Sequence, residues 1–205
     1  MVKKTAMDLY DRTRREGLIA INLKDDDELI AVRRVAEGEK MIMVSSAGKA
    51  ILTDESEVRA MGRGTMGVRG MNVPADARVL GMEIAKPGTD LFVITEKGYG
   101  KRTPIAEYPE YHRGGQGVNS IVMTQKKGML VGMKIVSEDD ELMIISEEGV
   151  IVRTPVKGIS ELGRATQGVR VMNINDGDRV TAVAVTQNDK KRGVADGSKD
   201  DSAEE

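Results

Sequence analysis

An all-β fold of four-stranded, propeller-like blades, repeating roughly every 50 residues, is what this sequence predicts. Three observations predict it. First, a glycine motif returns at a fixed step: Gly62-Arg63-Gly64-Thr65-Met66-Gly67-Val68, then Arg113-Gly114-Gly115-Gln116-Gly117-Val118, then Gly163-Arg164-Ala165-Thr166-Gln167-Gly168-Val169. A fainter copy stands at Arg14-Arg15-Glu16-Gly17-Leu18. Second, the same succession of apolar runs and glycine turns fills each interval. Third, runs such as Leu91-Phe92-Val93-Ile94 and Leu142-Met143-Ile144-Ile145 are apolar without alternation. A short strand of that kind is buried on both faces, as an inner strand of a stacked sheet would be.

The elements follow in order. Residues 2–5 and 17–23 supply only the late part of a repeat. The first complete repeat predicts strands at 29–35, 41–45, 49–53 and 68–73. The second predicts them at 78–84, 91–95, 99–103 and 118–123. The third predicts them at 129–135, 142–146, 150–154 and 169–174. Ser46-Ala47-Gly48, Glu96-Lys97-Gly98 and Glu147-Glu148-Gly149 read as hairpin turns in which glycine supplies the positive φ. Residues 178–185 add a lone first strand. Three complete four-strand units are visible, and the partial repeats at the two ends could complete one another if the ring closes. A β-helix would need much shorter coils, and a tandem of separate domains would need linkers. The folded domain is therefore placed at residues 1–188, as three complete repeats with half-repeats at each end. Residues 189–205, polar and acidic, cannot bury a core and are expected to be disordered.

Composition narrows the class. There is no cysteine, so neither a disulfide frame nor a thiolate metal site can form. No apolar run reaches the length of a membrane span, and the first residues carry no apolar leader. These features point to a cytoplasmic protein. The formal net charge is −2, but its distribution carries more information than its sum. Taken together, segments 2–18, 50–70, 101–118 and 152–170 hold 15 Lys/Arg against 9 Asp/Glu, whereas the rest of residues 1–188 holds 12 against 18. Positive charge travels with the glycine motif.

No catalytic constellation is present, and neither a cofactor nor a metal is expected. His112 is the single histidine, and a lone loop histidine reads as a surface polar group. The acidic runs Asp25-Asp26-Asp27-Glu28 and Ser137-Glu138-Asp139-Asp140-Glu141 lack the spacing of a calcium loop. Residues 62–67 match a dinucleotide-binding glycine pattern, but no helix follows them. The methionines read as core filler. Five aromatics are too few for a base-stacking platform.

The cations repeat. Arg63, Arg113 and Arg164 take equivalent places, with Arg14 or Arg15 in the partial copy. Arg69 and Arg170 follow their glycines by two. Lys3-Lys4, Lys101-Arg102 and Arg153 precede the loops. Blade symmetry would set these along one edge, and glycine beside arginine lets backbone approach a phosphate closely. A ring of solvated arginines required for loop structure fits the same pattern.

Gly98-Tyr99-Gly100-Lys101-Arg102-Thr103-Pro104, Glu107-Tyr108 and residues 113–118, together with 14–29 and 163–170, resemble the C-terminal domain of the DNA gyrase A protein. The resemblance covers nearly all of residues 1–188. It implies a β-pinwheel, a propeller variant whose blades exchange strands and whose basic rim bends and wraps duplex DNA. It further implies a non-catalytic module that supports ATP-dependent supercoiling when joined to a breakage-reunion core. The implied partners are double-stranded DNA, the breakage-reunion core of gyrase A, and the gyrase B protein, in the bacterial cytoplasm at the nucleoid. DNA contacts are implied for Lys3, Lys4, Arg14, Arg15, Arg63, Arg69, Lys101, Arg102, His112, Arg113, Arg153, Arg164 and Arg170. Tyr111-His112-Arg113-Gly114-Gly115-Gln116-Gly117 is the nearest match to the family's gyrase box, but lacks its leading glutamine and second basic residue. By its neighbours this stretch resembles a later blade, so the chain reads as the last blades of the domain. Two alternatives remain open on the residues: the related C-terminal domain of topoisomerase IV, and a protein-interaction propeller that does not bind DNA.

Overall fold

The structure, a computed structural model, describes residues 1–11 and 17–186. Arg14, Arg15 and the tail 189–205 lie outside the described residues. Eleven strands are present among those described: β1 Lys40–Ser45, β2 Lys49–Asp54, β3 Val79–Ala85, β4 Asp90–Thr95, β5 Tyr99–Pro104, β6 Val118–Asn119, β7 Leu130–Val136, β8 Glu141–Ser146, β9 Ile151–Pro155, β10 Val169–Arg170 and β11 Val180–Thr186. The only helical pieces described are 3-10 turns of three or four residues. The all-β expectation therefore holds.

The propeller expectation does not. The strands form three small antiparallel sheets, ordered β3-β1-β2-β6, β10-β5-β4-β7 and β11-β8-β9. None closes into a barrel or propeller. Closure would need a strand on the free edge of β9 and a ladder along residues 29–35. Neither is formed among the described residues, and residues 29–35, predicted as a strand, belong to no sheet. The strand predicted at 68–73 is likewise reduced to one bridge, Val68 to Val2.

The repeat is also not a self-contained blade. The hairpin β1-β2 belongs to the first repeat, but its flanking strands β3 and β6 come from the second. The hairpin β4-β5 takes β7 and β10 from the third in the same way. Each of these two sheets thus consists of the middle strands of one repeat and the outer strands of the next. The sequence period is kept, but its phase is shifted by the connections.

Stacking follows from side-chain alternation along β4. Leu91 and Val93 face the first sheet, packing with Ile42, Val44 and Leu52. Phe92 and Ile94 face the third, packing with Leu142, Ile144 and Val156. The central strand of the middle sheet is hence apolar at every step, which explains the lack of alternation in its sequence. On the far side of the first sheet, Met43 and Ile51 pack with Met71 and partly buried Val2 and Met82.

The glycine that closes each motif has a steric duty. Gly67, Gly117 and Gly168 hold φ of 86°, 71° and 72°. A Cβ on Gly117 would stand 2.1 Å from the carbonyl oxygen of Ala50, and one on Gly67 would stand 2.4 Å from that of Val2. Left-handed backbone and contact with the neighbouring strand are both required, so only glycine serves there.

Candidate nucleic-acid interface

The three Arg-Gly loops are tied to one another by one repeated backbone bond. Asn22 N donates to Thr65 O at 3.3 Å, Asn72 N to Gly115 O at 2.9 Å, and Val122 N to Thr166 O at 2.9 Å. Each donor lies five residues past a motif glycine, and each acceptor two residues before the next one. Every loop therefore rests on the stretch that follows the loop before it, so the loops are linked in series. Thr65 and Thr166 each close their own loop by donating from Oγ1 to Gly62 O and Gly163 O, at 2.9 and 2.8 Å.

The predicted cations separate into three groups. Lys101 has no exposed surface. Its ammonium donates to Gly163 O at 2.6 Å, Arg164 O at 2.8 Å and Thr166 Oγ1 at 2.9 Å. Burial pushes its pKa down to about 8, with Glu107 opposing and Arg164 adding to the shift. Lys3 holds the equivalent place in the first loop, donating to Arg63 O and, at 2.6 Å, to Ala20 O. Its pKa is lowered by burial and by Arg63. These two lysines set loop backbone.

A second group is ion-paired. Arg102 is buried and donates to Asp90 and Glu161 carboxylates at 2.5 and 2.8 Å and to Ile159 O at 3.0 Å. Lys4 pairs with Glu55, and Arg153 with Glu141. His112 Nδ1 lies 2.8 Å from Glu57 Oε1 on an otherwise exposed ring.

The third group keeps its charge unpaired. Arg63, Arg69, Arg113, Arg164 and Arg170 make no ion pair with a carboxylate among the described residues. Arg63, Arg113, Arg164 and Arg170 instead meet carbonyl oxygens, a phenol or an aromatic ring. Arg113 donates to Glu57 O at 2.8 Å and Arg69 O at 3.1 Å. Arg164 lies 5.9 Å from the ring centre of Tyr108. That phenol is held by Ser120 at 2.7 Å and is pushed up to about 12, chiefly by burial. Within the box-like stretch, Tyr111 N donates to Leu52 O and Gly114 N to Gly70 O, at 2.8 and 2.6 Å, so its backbone is docked while the Gln116 side chain is exposed. Row, backbone approach and free positive charge together suit a polyanion.

The family described as "DNA gyrase C-terminal domain, beta-propeller" matches residues 1–36, 39–86, 89–137 and 140–187. The chain belongs to that family.

The gyrase A protein of Mycobacterium tuberculosis is 41% identical over 187 residues, covering 90% of this chain and 22% of that protein. Its counterpart in Staphylococcus epidermidis is 39% identical over 186 residues, covering 90% and 21%. The chain thus spans about a fifth of the length of these relatives. A solved gyrase A C-terminal domain superimposes with a TM-score of 0.76 at 31% identity, covering 83% of this chain and 58% of that one. A solved topoisomerase IV C-terminal domain gives 0.86 at 26% identity, covering 92% and 59%. This gyrase C-terminal domain corresponds to the non-catalytic part of gyrase A. The family description carries the word propeller, whereas the sheets of this gyrase domain are open.

Sequence reasoning missed part of the gyrase domain's positive surface. Lys126 and Lys127 sit on the 3-10 turn Gln125–Lys127, past the glycine segments where cations concentrate. Lys127 reaches back to Gln167 O and Gly168 O at 3.2 and 3.1 Å. The lysine pair was visible in the sequence; its approach to a loop 40 residues later was not.

Proposed function

We propose that this gyrase C-terminal domain binds and bends duplex DNA through backbone phosphates, using the row of Arg-Gly loops. The observation that carries the reading is the serial docking of the three loops with Arg63, Arg113 and Arg164 free of carboxylate partners. The buried or paired Lys101, Arg102, Lys4 and Arg153 shape that surface, and Arg69 and Arg170 extend it. The described residues hold no helix long and apolar enough to cross a membrane and no cluster of three metal-ligating side chains. Within the whole gyrase, the domain serves ATP-dependent supercoiling alongside the breakage-reunion core and the gyrase B protein. Its place is the bacterial cytoplasm, at the nucleoid.

Phosphate contacts make affinity fall steeply with salt and vary little with sequence. The test is duplex binding at two salt concentrations, for the natural chain and for Arg63→Ala/Arg113→Ala/Arg164→Ala. The triple variant should bind all duplexes more weakly and with a shallower salt dependence. Unchanged affinity in a folded triple variant would return these arginines to loop structure.

A further inference from the structure

Tyr99 opens β5, and its ring is flanked by cations from two repeats. Arg170 is its register partner on β10. The Arg170 guanidinium lies 5.2 Å from the ring centre and donates to the phenol oxygen at 2.7 Å. The Lys127 ammonium lies 4.8 Å from the same ring centre. Lys126 stands beside Lys127 on the same 3-10 turn, Gln125–Lys127. None of the three cations is ion-paired with a carboxylate among the described residues. The first sheet does not repeat the arrangement. There, the positions equivalent to Tyr99, Arg170 and Lys127 hold Lys49, Asn119 and Ala77.

The donors are not used up. An ammonium has three N–H groups, and Lys127 spends two on Gln167 O and Gly168 O. A guanidinium has five, and Arg170 directs one to Tyr99 and another to Asn173 Oδ1 at 3.4 Å. Tyr99 accepts from Arg170 and keeps its own O–H to donate. Like charges gathered at one ring repel, and a ring face offsets only part of that cost at a partly exposed site. A bound tetrahedral anion would neutralise the cluster and take up the remaining donors.

We propose that Tyr99, Lys126, Lys127 and Arg170 form a discrete phosphate site at the junction of the second and third repeats, and that its occupant is a phosphate of the DNA backbone. The source of the phosphate rests on the DNA-binding reading above. Lys127 grips the end of the Arg164 loop, so a duplex following that loop meets this cluster next.

The phenol supplies a readout separate from affinity. Arg170 by its hydrogen bond, and then Arg170, Lys126 and Lys127 by their charge, hold the Tyr99 hydroxyl below its ordinary pKa. A phosphate bound among them should move its ionisation to higher pH. The experiment follows the labelled Tyr99 phenol carbon by NMR through alkaline pH, with Tyr99→Phe assigning the signal. Arms contain no ligand, a short duplex, or inorganic phosphate at equal phosphate concentration. The expected result is an upward shift with duplex, little with inorganic phosphate, and none with duplex in Lys126→Gln/Lys127→Gln/Arg170→Gln. That variant should also bind duplex about tenfold or more weakly, with a salt slope lower by about 0.9 for each phosphate no longer engaged. A natural chain that binds duplex without moving Tyr99 overturns the site and leaves the DNA reading intact. A shift with inorganic phosphate in a chain that fails to bind duplex overturns the assigned source.

Discussion

The ammonium of Lys101 lies 2.8 Å from the carbonyl oxygen of Arg164, across 63 residues of sequence. A buried cation thus fixes the backbone from which a partly exposed cation projects. Lys3 does the same for Arg63. The equivalent place in the first sheet is Ile51, which packs beneath Gly115. Its loop is held instead by the Arg113 side chain on Glu57 and Arg69 carbonyls.

Lys101 should leave a mark on stability at alkaline pH. Its folded pKa is about 8, below the ordinary lysine value of 10.5. Below about 8 both folded and unfolded chains hold the proton. Between the two values the unfolded chain holds it and the folded chain releases it, so this group's contribution to stability rises with pH across that window. Urea denaturation of the natural chain and of Lys101→Met should therefore diverge as pH rises from 8 towards 10.5. At pH 7 the variant should already be weaker by about 2–3 kcal/mol, because three loop acceptors lose a charged donor. Parallel curves at all pH values would refute the assignment.

Arg102 and Arg164 should separate structure from binding. Arg102→Ala strands the Asp90 carboxylate in a nearly buried site, a loss of about 3–5 kcal/mol. Arg164→Ala should cost under about 1 kcal/mol of stability, while lowering the slope of log affinity against log salt by about 0.9. Thermal denaturation and salt-dependent duplex binding on both variants check this. The reverse pattern would exchange their roles.

Gly117→Ala should destabilise by more than about 2 kcal/mol. The new methyl meets the Ala50 carbonyl, and the residue must keep a left-handed backbone. Gly149→Ala is the control, with positive φ but open space around its Cβ position. It should lose less, and equal losses would mean that strand proximity is irrelevant. Chemical denaturation of the two variants decides.

The chain alone should bind duplex DNA without stabilising a full chiral wrap. Bending a short site by a right angle costs about 1–6 kcal/mol, to be offset by contacts along the whole path. In the Tyr111–Gly117 stretch, one guanidinium is available and His112 already faces Glu57. Nicked plasmid ligated in the presence of the protein should give an unshifted topoisomer ladder. A shift towards positive supercoils that grows with dose would show that these loops suffice.

Much was legible in the sequence because it is encoded locally. The hairpin strands follow from short apolar runs, and their turns follow from Gly48, Gly98 and Gly149, all of which have positive φ. The motif glycines announce both a period and a backbone that L side chains avoid. The family was legible because several such motifs stand at linked spacings. The inner place of β4 was legible because Leu91 to Ile94 could satisfy two apolar neighbours only by facing both ways.

Pairing and charge state were decided by tertiary structure. Whether β6 lies beside its own hairpin or beside β2 depends on loop paths, and no residue in Val118-Asn119 states the choice. Among the described residues, open sheets instead of a closed ring follow from edges left unpaired at β9 and at residues 29–35, a matter of which strands meet. Lys101, Arg102 and Arg164 are equal cations in sequence. Their fates diverge because a carbonyl cage reaches Lys101, the Asp90 and Glu161 carboxylates reach Arg102 and a tyrosine face reaches Arg164, all but Asp90 from distant parts of the chain. Local chemistry sets what each residue can do; distant chain sets the dielectric and the partners, and those determine what it does.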